Sequence, residues 1–336
     1  MKPEILNENH RLGLGGVAIG TAFADITDEQ ANEIFSKAWD LGIRYYDTSP
    51  WYGLTKSERR FGAFLQDKNR EDFILSTKVG RIFTEVPESD VPPTMWQNPL
   101  NYDFRHDYTA DAIKRSIEES LERTGLDRLD IVYVHDLSED QVGDRYPYFL
   151  EQAKKGSFKV LSELRDQGVI KGWGMGVNKI EPILDCIDNA DPDICLSATQ
   201  YSILDHDFAV DVLLPAVKKA GVKLVSGAGY NSGFIAGRNR YNYKELIPKG
   251  MPEKRDRIKE IAQKYNTDIV HAALQFVLAA DEFVSIIPGA STPEQVQDNV
   301  NALHAEIPSD FWKELKSEGL IYEKAQVPDD HSNGNQ

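Results

Sequence analysis

Asp47, Tyr52, Lys78 and His135 are the four residues of this 336-residue chain whose types and placement could do chemistry together. A phenol with an ordinary pKa near 10 is a poor base at neutral pH. An ammonium beside it favours the phenolate and lowers that pKa. A carboxylate next to the ammonium keeps it charged and aimed, and a histidine can hold a substrate oxygen from the other side. Such a set can take a proton from a hydroxyl, or give one to a carbonyl, as hydride leaves or arrives. Taken singly, each has a plainer use: an Asp as a turn cap, a Tyr as packing, a Lys at the surface, a His satisfied in the core. Their joint arrival at the ends of consecutive apolar segments argues for a site. The sequence shows no metal-ligand cluster and no acyl-transfer nucleophile with a positioned base.

The elements that must position these groups alternate. Strands are expected over 14–21, 43–47, 73–78, 129–135, 170–177, 195–200, 222–226 and 284–287. Helices are expected near 55–66, 148–167, 180–189 and 209–220, in broken form over 251–280, and from Thr27, Thr109 and Thr292. Thr27 with Gln30 reads as a capping box, and Pro293 takes the first helical position. Eight strands, each followed by helix, with no linker, predict one (β/α)8 TIM barrel domain over 1–336, with its core at about 10–305 and a polar tail at 329–336. A doubly wound sheet with a helical appendage is the alternative. In a barrel every strand aims its C-terminal end at one face, which is where the four residues fall. The Pro-rich, aromatic stretch 79–107 is long enough for a substrate lid, and Trp51 joins Tyr52 and His135 as a substrate contact.

Composition narrows the partners. Lys and Arg number 38 against 54 Asp and Glu, a formal charge of −16. So acidic a surface repels phosphate backbones and anionic lipid, so no nucleic-acid or membrane partner is expected. The two cysteines, Cys186 and Cys195, read as reduced buried thiols. No signal-peptide core or bilayer-length apolar run is present, which points to the cytoplasm. Both a monomer and a homo-oligomer stay open.

Asp47-Thr48-Ser49-Pro50-Trp51-Tyr52-Gly53, with Glu58 and Gly62, resembles the aldo-keto reductase signature. The match continues through Ser76-Thr77-Lys78, Val134-His135, Gly176-Val177-Asn178, Gln200-Tyr201 and Ile287-Pro288-Gly289. The resemblance implies a barrel that binds NAD or NADP without a Rossmann domain. It implies Tyr52 as general acid/base, Lys78 and Asp47 as the groups tuning it, and His135 as substrate orienter. It also implies that Asn178 and Gln200 hold the nicotinamide carboxamide. Asp136 after the histidine, and Ser226-Gly227-Ala228-Gly229-Tyr230-Asn231-Ser232-Gly233, look like the branch of aldose and pyridoxal dehydrogenases. Val225 falls where many relatives place an aromatic that stacks on nicotinamide, and Tyr230 is one candidate replacement. An aldose (L-fucose, D-arabinose or L-galactose) would be oxidised as its cyclic hemiacetal to a lactone, and pyridoxal to 4-pyridoxolactone. A general NADPH-dependent aldehyde or ketone reductase is the rival enzyme, and a cofactor-binding regulatory subunit the rival outside catalysis.

Two stretches would carry the cofactor. Ser226, Gly227, Ala228, Gly229, Asn231, Ser232 and Gly233 offer unshielded backbone N–H groups and polar side chains to a pyrophosphate. Pro288, Gly289, Ala290, Ser291, Gln295, Asp298 and Asn299 align with the stretch that meets the adenosine ribose. NADPH-preferring relatives carry cations where this chain has Gly289 and Gln295, and Glu294 and Asp298 leave the region acidic. NAD is therefore expected over NADP, with Arg238 or Arg240 the basic groups that could reverse the preference.

Overall fold

A computed structural model of the protein describes residues 4–328, so the polar tail 329–336 lies outside the described residues. The strands are β1 (Gly13–Gly15), β2 (Tyr45–Asp47), β3 (Ile74–Val79), β4 (Arg81–Glu85), β5 (Tyr102–His106), β6 (Ile131–His135), β7 (Gly172–Val177), β8 (Ile194–Ala198), β9 (Lys223–Gly227) and β10 (Phe283–Ile286). Eight of them form one parallel sheet in the order β1-β2-β3-β6-β7-β8-β9-β10. Parallel bridges Leu12 to Ile286 and Gly15 to Gly289 bring the last strand back to the first. The result is the nearly closed (β/α)8 barrel expected from the alternation.

Pleating sorts the side chains. Tyr45, Ile74, Ile131, Tyr133, Ile194, Leu196, Val225 and Ile287 fill the barrel interior. Tyr46, Leu75, Val132, Val134 and Leu224 face the helical layer. The helix Asp28–Asp40 begins with the Thr27–Gln30 capping box and buries Ala31, Ile34, Phe35 and Ala38 against that layer. Cys186 and Cys195 are buried thiols. No helix among the described residues is long and apolar enough to cross a membrane.

Four elements differ from expectation. β1 is three residues long, and 16–24 turn instead of continuing it. These turns press backbone on backbone: a Cβ at Gly20 would lie 2.6 Å from the Tyr52 carbonyl carbon. The stretch 79–107 is not an irregular loop throughout, because β4 and β5 pair antiparallel from Arg81–His106 to Glu85–Tyr102. The helix expected over 148–167 is two, Tyr146–Lys155 and Ser157–Asp166, broken at Gly156, where a Cβ would meet the Tyr108 carbonyl oxygen at 2.5 Å. A further helix, Ser309–Ser317, buries Phe311, Trp312 and Leu315 beyond the expected core.

Candidate active site

Register brings the four candidate residues to one end of the barrel. Asp47 ends β2 opposite Ser76, Lys78 on β3 lies opposite Tyr133, and His135 ends β6 opposite Gly176. Past Asp47 the chain turns tightly. Tyr52 N–H donates to Ser49 O, and Leu54 and Thr55 take left-handed φ values of 51° and 79°. Behind the turn, buried Glu58 accepts from Thr77 Oγ1 and from Arg123 Nε.

Lys78 Nζ donates to Asp47 Oδ2 at 2.7 Å and to Thr48 O at 2.8 Å. The same ammonium stands 4.6 Å from the centre of the Tyr52 ring. Ser76 Oγ donates to Asp47 Oδ1 at 2.7 Å, so both carboxylate oxygens are held. The His135 and Tyr52 rings meet edge to face at 5.9 Å. Asp47, Lys78, Tyr52 and His135 are all buried. Burial raises the Asp47 carboxyl pKa by more than Lys78 lowers it, and burial drives His135 well below the ordinary imidazole value, with Arg81 and Lys78 adding to the drop.

Tyr52 departs from the sequence expectation. Its pKa is raised well above 10, by burial first and then by the negative charges of Asp47 and Asp136, with Arg81 opposing. The Lys78 ammonium expected to lower it bonds Asp47 and Thr48 O, and burial outweighs the nearby cations. In this state the phenol holds its proton.

The β4–β5 hairpin walls the site. Trp51 packs on Trp96 at 5.7 Å and on Phe104 at 4.7 Å, and Trp96 lies 5.6 Å from Tyr52. The buried Trp96 indole N–H has no hydrogen-bond partner. Arg81 and Tyr243 were not singled out in the sequence, where Asp136 stood only as a branch feature and Trp96 only within the stretch 79–107. Arg81 Nη2 donates to Asp136 Oδ2 at 2.9 Å, and its guanidinium lies 4.8 Å over the Trp51 ring. Tyr243 reaches the same charge field, since Tyr52, Asp136, Lys78 and Asp47 all act on its phenol. The one sequence signal for Arg81 was Val79-Gly80 directly before it, a strand end followed by a turn.

The expected cofactor residues lie at the ends of β7 to β10. Asn178 follows β7, and Gln200 follows β8, where its Nε2 donates to Thr199 Oγ1. Ser226 and Gly227 end β9; the Ser226 Oγ is buried and unpartnered, as is Asn231 Oδ1. Ala228, Asn231, Ser232 and Gly233 take φ values of 56°, 48°, 58° and 87°, and Gly229 packs against Ile286. These values make tight turns, in which Asn231 N–H donates to Ala228 O and Gly233 N–H to Tyr230 O, while Ser232 Oγ accepts from Tyr243 N–H. Pro288 O accepts from Gly15 N–H, and Gly289 pairs with Gly15 where a Cβ would have room, its nearest neighbour 3.5 Å away. Ala290 and Asn299 are buried, whereas Asp298 and Glu294 are exposed on the helix Pro293–His304. Ser291 N–H donates to Gln295 Oε1 at 2.8 Å. The orphaned Ser226 and Asn231 oxygens and the room at Gly289 fit a dinucleotide. Val225 lies in the barrel interior, and the charges that act on the Tyr230 phenol are those of Asp268 and Asp298.

Known proteins carry the same architecture. A solved holo form of an aldo-keto reductase from Bacillus halodurans superposes with a TM-score of 0.70 at 23% identity, covering 96% of this chain and 94% of that one. Pyridoxal 4-dehydrogenase of Microbacterium luteolum is 36% identical over 324 residues, covering 92% of this chain and 94% of that protein. D-threo-aldose 1-dehydrogenase of a Pseudomonas species is 35% identical over 319 residues, again covering 92% and 94%. The Aldo/keto reductase family profile matches residues 11–318, a span that takes in all eight barrel strands and every group described above. With that match across the barrel, the chain belongs to the aldo/keto reductase family, an oxidoreductase acting on CH–OH with NAD or NADP.

Proposed function

We propose that the protein oxidises a cyclic hemiacetal to its lactone, with an aldose such as L-fucose, D-arabinose or L-galactose as substrate and NAD as acceptor. The observation that carries this reading is the placement of the buried Tyr52 phenol between the Lys78–Asp47 pair and His135, under an aromatic wall. Two relatives at 35–36% identity act, by their names, on an aldose and on pyridoxal. Both substrates close to hemiacetals, the sugar on its own hydroxyl and pyridoxal on its hydroxymethyl group.

The bound nicotinamide supplies the hydride acceptor. In this reading Asn178 and Gln200 hold its carboxamide, Ser226 to Gly233 its pyrophosphate, and Gln295 and Asp298 approach the adenosine ribose. His135 holds the hemiacetal hydroxyl, and Tyr52 takes its proton as the C–H hydride departs. In the reverse sense Tyr52 gives the proton back. Trp51, Trp96 and Phe104 keep water from the reacting carbon. Gln295 is tied to Ser291 N–H, and neither it nor Gly289 offers a charge to a 2′-phosphate. Arg240, the nearby cation, donates to Ser232 O at 2.6 Å and sits 3.9 Å over the Phe23 ring.

The aromatic wall favours a second reading. A flat heteroaromatic ring gains more from stacking on Trp51 and Trp96 than a sugar does, which suits pyridoxal. Oxidation of L-fucose, D-arabinose, L-galactose and pyridoxal, each with NAD and NADP, tests both readings against reduction of simple aldehydes by NADPH. Turnover of a hemiacetal with NAD at the highest kcat/KM is expected. Faster NADPH-driven reduction of simple aldehydes, with no hemiacetal oxidised, would replace both with a general reductase.

A further inference from the structure

We propose that Arg81 is a positioning residue that fixes His135 as the neutral Nε2–H tautomer. Gly80 delivers it. At φ 109° the chain leaves β3 and enters β4, and a Cβ at Gly80 would lie 2.4 Å from the Tyr108 ring. Tyr108 OH in turn donates to the His135 carbonyl at 3.0 Å, so the same corner seats both partners. Arg81 is 4% exposed, and its Nη1 lies 3.2 Å from His135 Nδ1.

The tautomer follows from the donor inventory. A guanidinium nitrogen carries only hydrogens to share, so Nδ1 must accept. The imidazole proton is therefore on Nε2, because the bond made by one ring nitrogen sets the state of the other. Ser49 Oγ, also 3.2 Å from Nδ1, accepts from Trp51 N–H and so has its own proton to offer Nδ1. A proton on Nδ1 would point at a fixed cation. Asp136 holds the arginine from its other side, with Oδ2 2.9 Å from Nη2 and 3.6 Å from His135 Nε2. The charged and titratable groups around the ring are thus Lys78, Arg81, His106, Asp136, Tyr52 and Tyr108. Asp136 stays in place at φ 49°, a conformation Asp tolerates better than most residues.

This matters for the reaction because Nε2–H can donate to a substrate oxygen, whereas an Nε2 lone pair would repel it. An imidazolium would compete with Tyr52 as proton source. The inference rests on His135 as substrate orienter, but the tautomer can be read without substrate, so its failure is separable from failure of the proposed reaction.

The experiment is nitrogen-15 NMR of the full chain with labelled histidine, the His135 signals being assigned by their loss in His135→Gln. Wild-type protein is expected to show His135 as Nε2–H from pH 6 to 8. Arg81→Met leaves Nδ1 only the Ser49 hydroxyl, which can turn from donor to acceptor, so His135 should shift toward the Nδ1–H form or imidazolium, and kcat should fall on the order of 10²-fold with a smaller change in KM. Arg81→Lys should restore part of both. His135 found as Nδ1–H or imidazolium in the wild type overturns the proposal, whether or not Arg81→Met folds. So does a folded Arg81→Met with the tautomer unchanged and only KM altered, which would make Arg81 a substrate contact instead.

Discussion

Lys78 Nζ donates to Asp47 Oδ2 across 2.7 Å with both side chains almost wholly buried, and the same ammonium lies 4.6 Å from the Tyr52 ring centre. The pair thus forms a buried foundation beneath the Tyr52 ring. Lys78→Met leaves a buried carboxylate without its cation, which costs about 3 kcal/mol of stability. Asp47→Asn combined with Lys78→Met removes both charges and should be more stable than Lys78→Met by itself, while remaining inactive. Urea unfolding of the single and double variants checks this; a double variant less stable than Lys78→Met contradicts it.

Tyr52→Phe removes the proton carrier and leaves the walls intact. Turnover should fall roughly 10²- to 10⁴-fold with cofactor affinity unchanged. Because burial and the Asp47 and Asp136 charges hold the phenol protonated, oxidation should accelerate as pH rises, and reduction should stay level through neutral pH. Pre-steady-state rates in both directions measure it, and a reduction rate that falls between pH 7 and 9 would point to another proton donor.

Gln295→Arg offers a cation where the exposed Glu294 and Asp298 now set the charge, and it releases Ser291 N–H from its present bond. The kcat/KM ratio for NAD over NADP should fall about tenfold or more. Should wild-type protein already prefer NADP, Arg240→Ala becomes the variant that must abolish the preference.

His206 gives stability a pH dependence. Its Nδ1–H donates to Ser202 O at 2.8 Å and its Nε2 accepts from Tyr322 N–H at 3.0 Å, so a second proton has no place. Burial, then Lys254, lowers its pKa to about 4, and the same direction holds for His135. The unfolded chain takes these protons near pH 6.5. Stability is therefore intact above pH 6.5 and lost as pH falls toward 4, at about 1.4 kcal/mol per pH unit for each imidazole. His206→Gln should flatten the slope between pH 6.5 and 5 by one such increment, read by urea unfolding across that range.

The barrel was legible because each buried strand is a short apolar run bounded by glycine or polar residues, as in Ile131–His135. β1 was not, since Gly13 to Gly20 reads the same whether extended or turning, and only the contact of Gly20 with Tyr52 decides it. Nor was the β4–β5 hairpin, whose half-buried alternation of Tyr102, Phe104 and His106 is diluted by Asp103 and Arg105. Asp47, Tyr52, Lys78 and His135 could be gathered from strand ends because parallel strands share one direction. Arg81 could not, because its meaning depends on Asp136 and on a histidine nitrogen 54 residues away. The state of Tyr52 was not legible for a related reason: spacing places Lys78 and Asp47 nearby but does not show the burial that, with the Asp47 and Asp136 charges, raises the phenol.

Proton and carbon NMR during turnover with NAD and the best of the hemiacetal substrates identifies the first-formed product of oxidation. A lactone that appears without lag, in step with NADH, and opens to the acid only afterwards is the expected result. An open-chain acid formed from the start, with no lactone preceding it, would contradict hydride removal from the hemiacetal carbon.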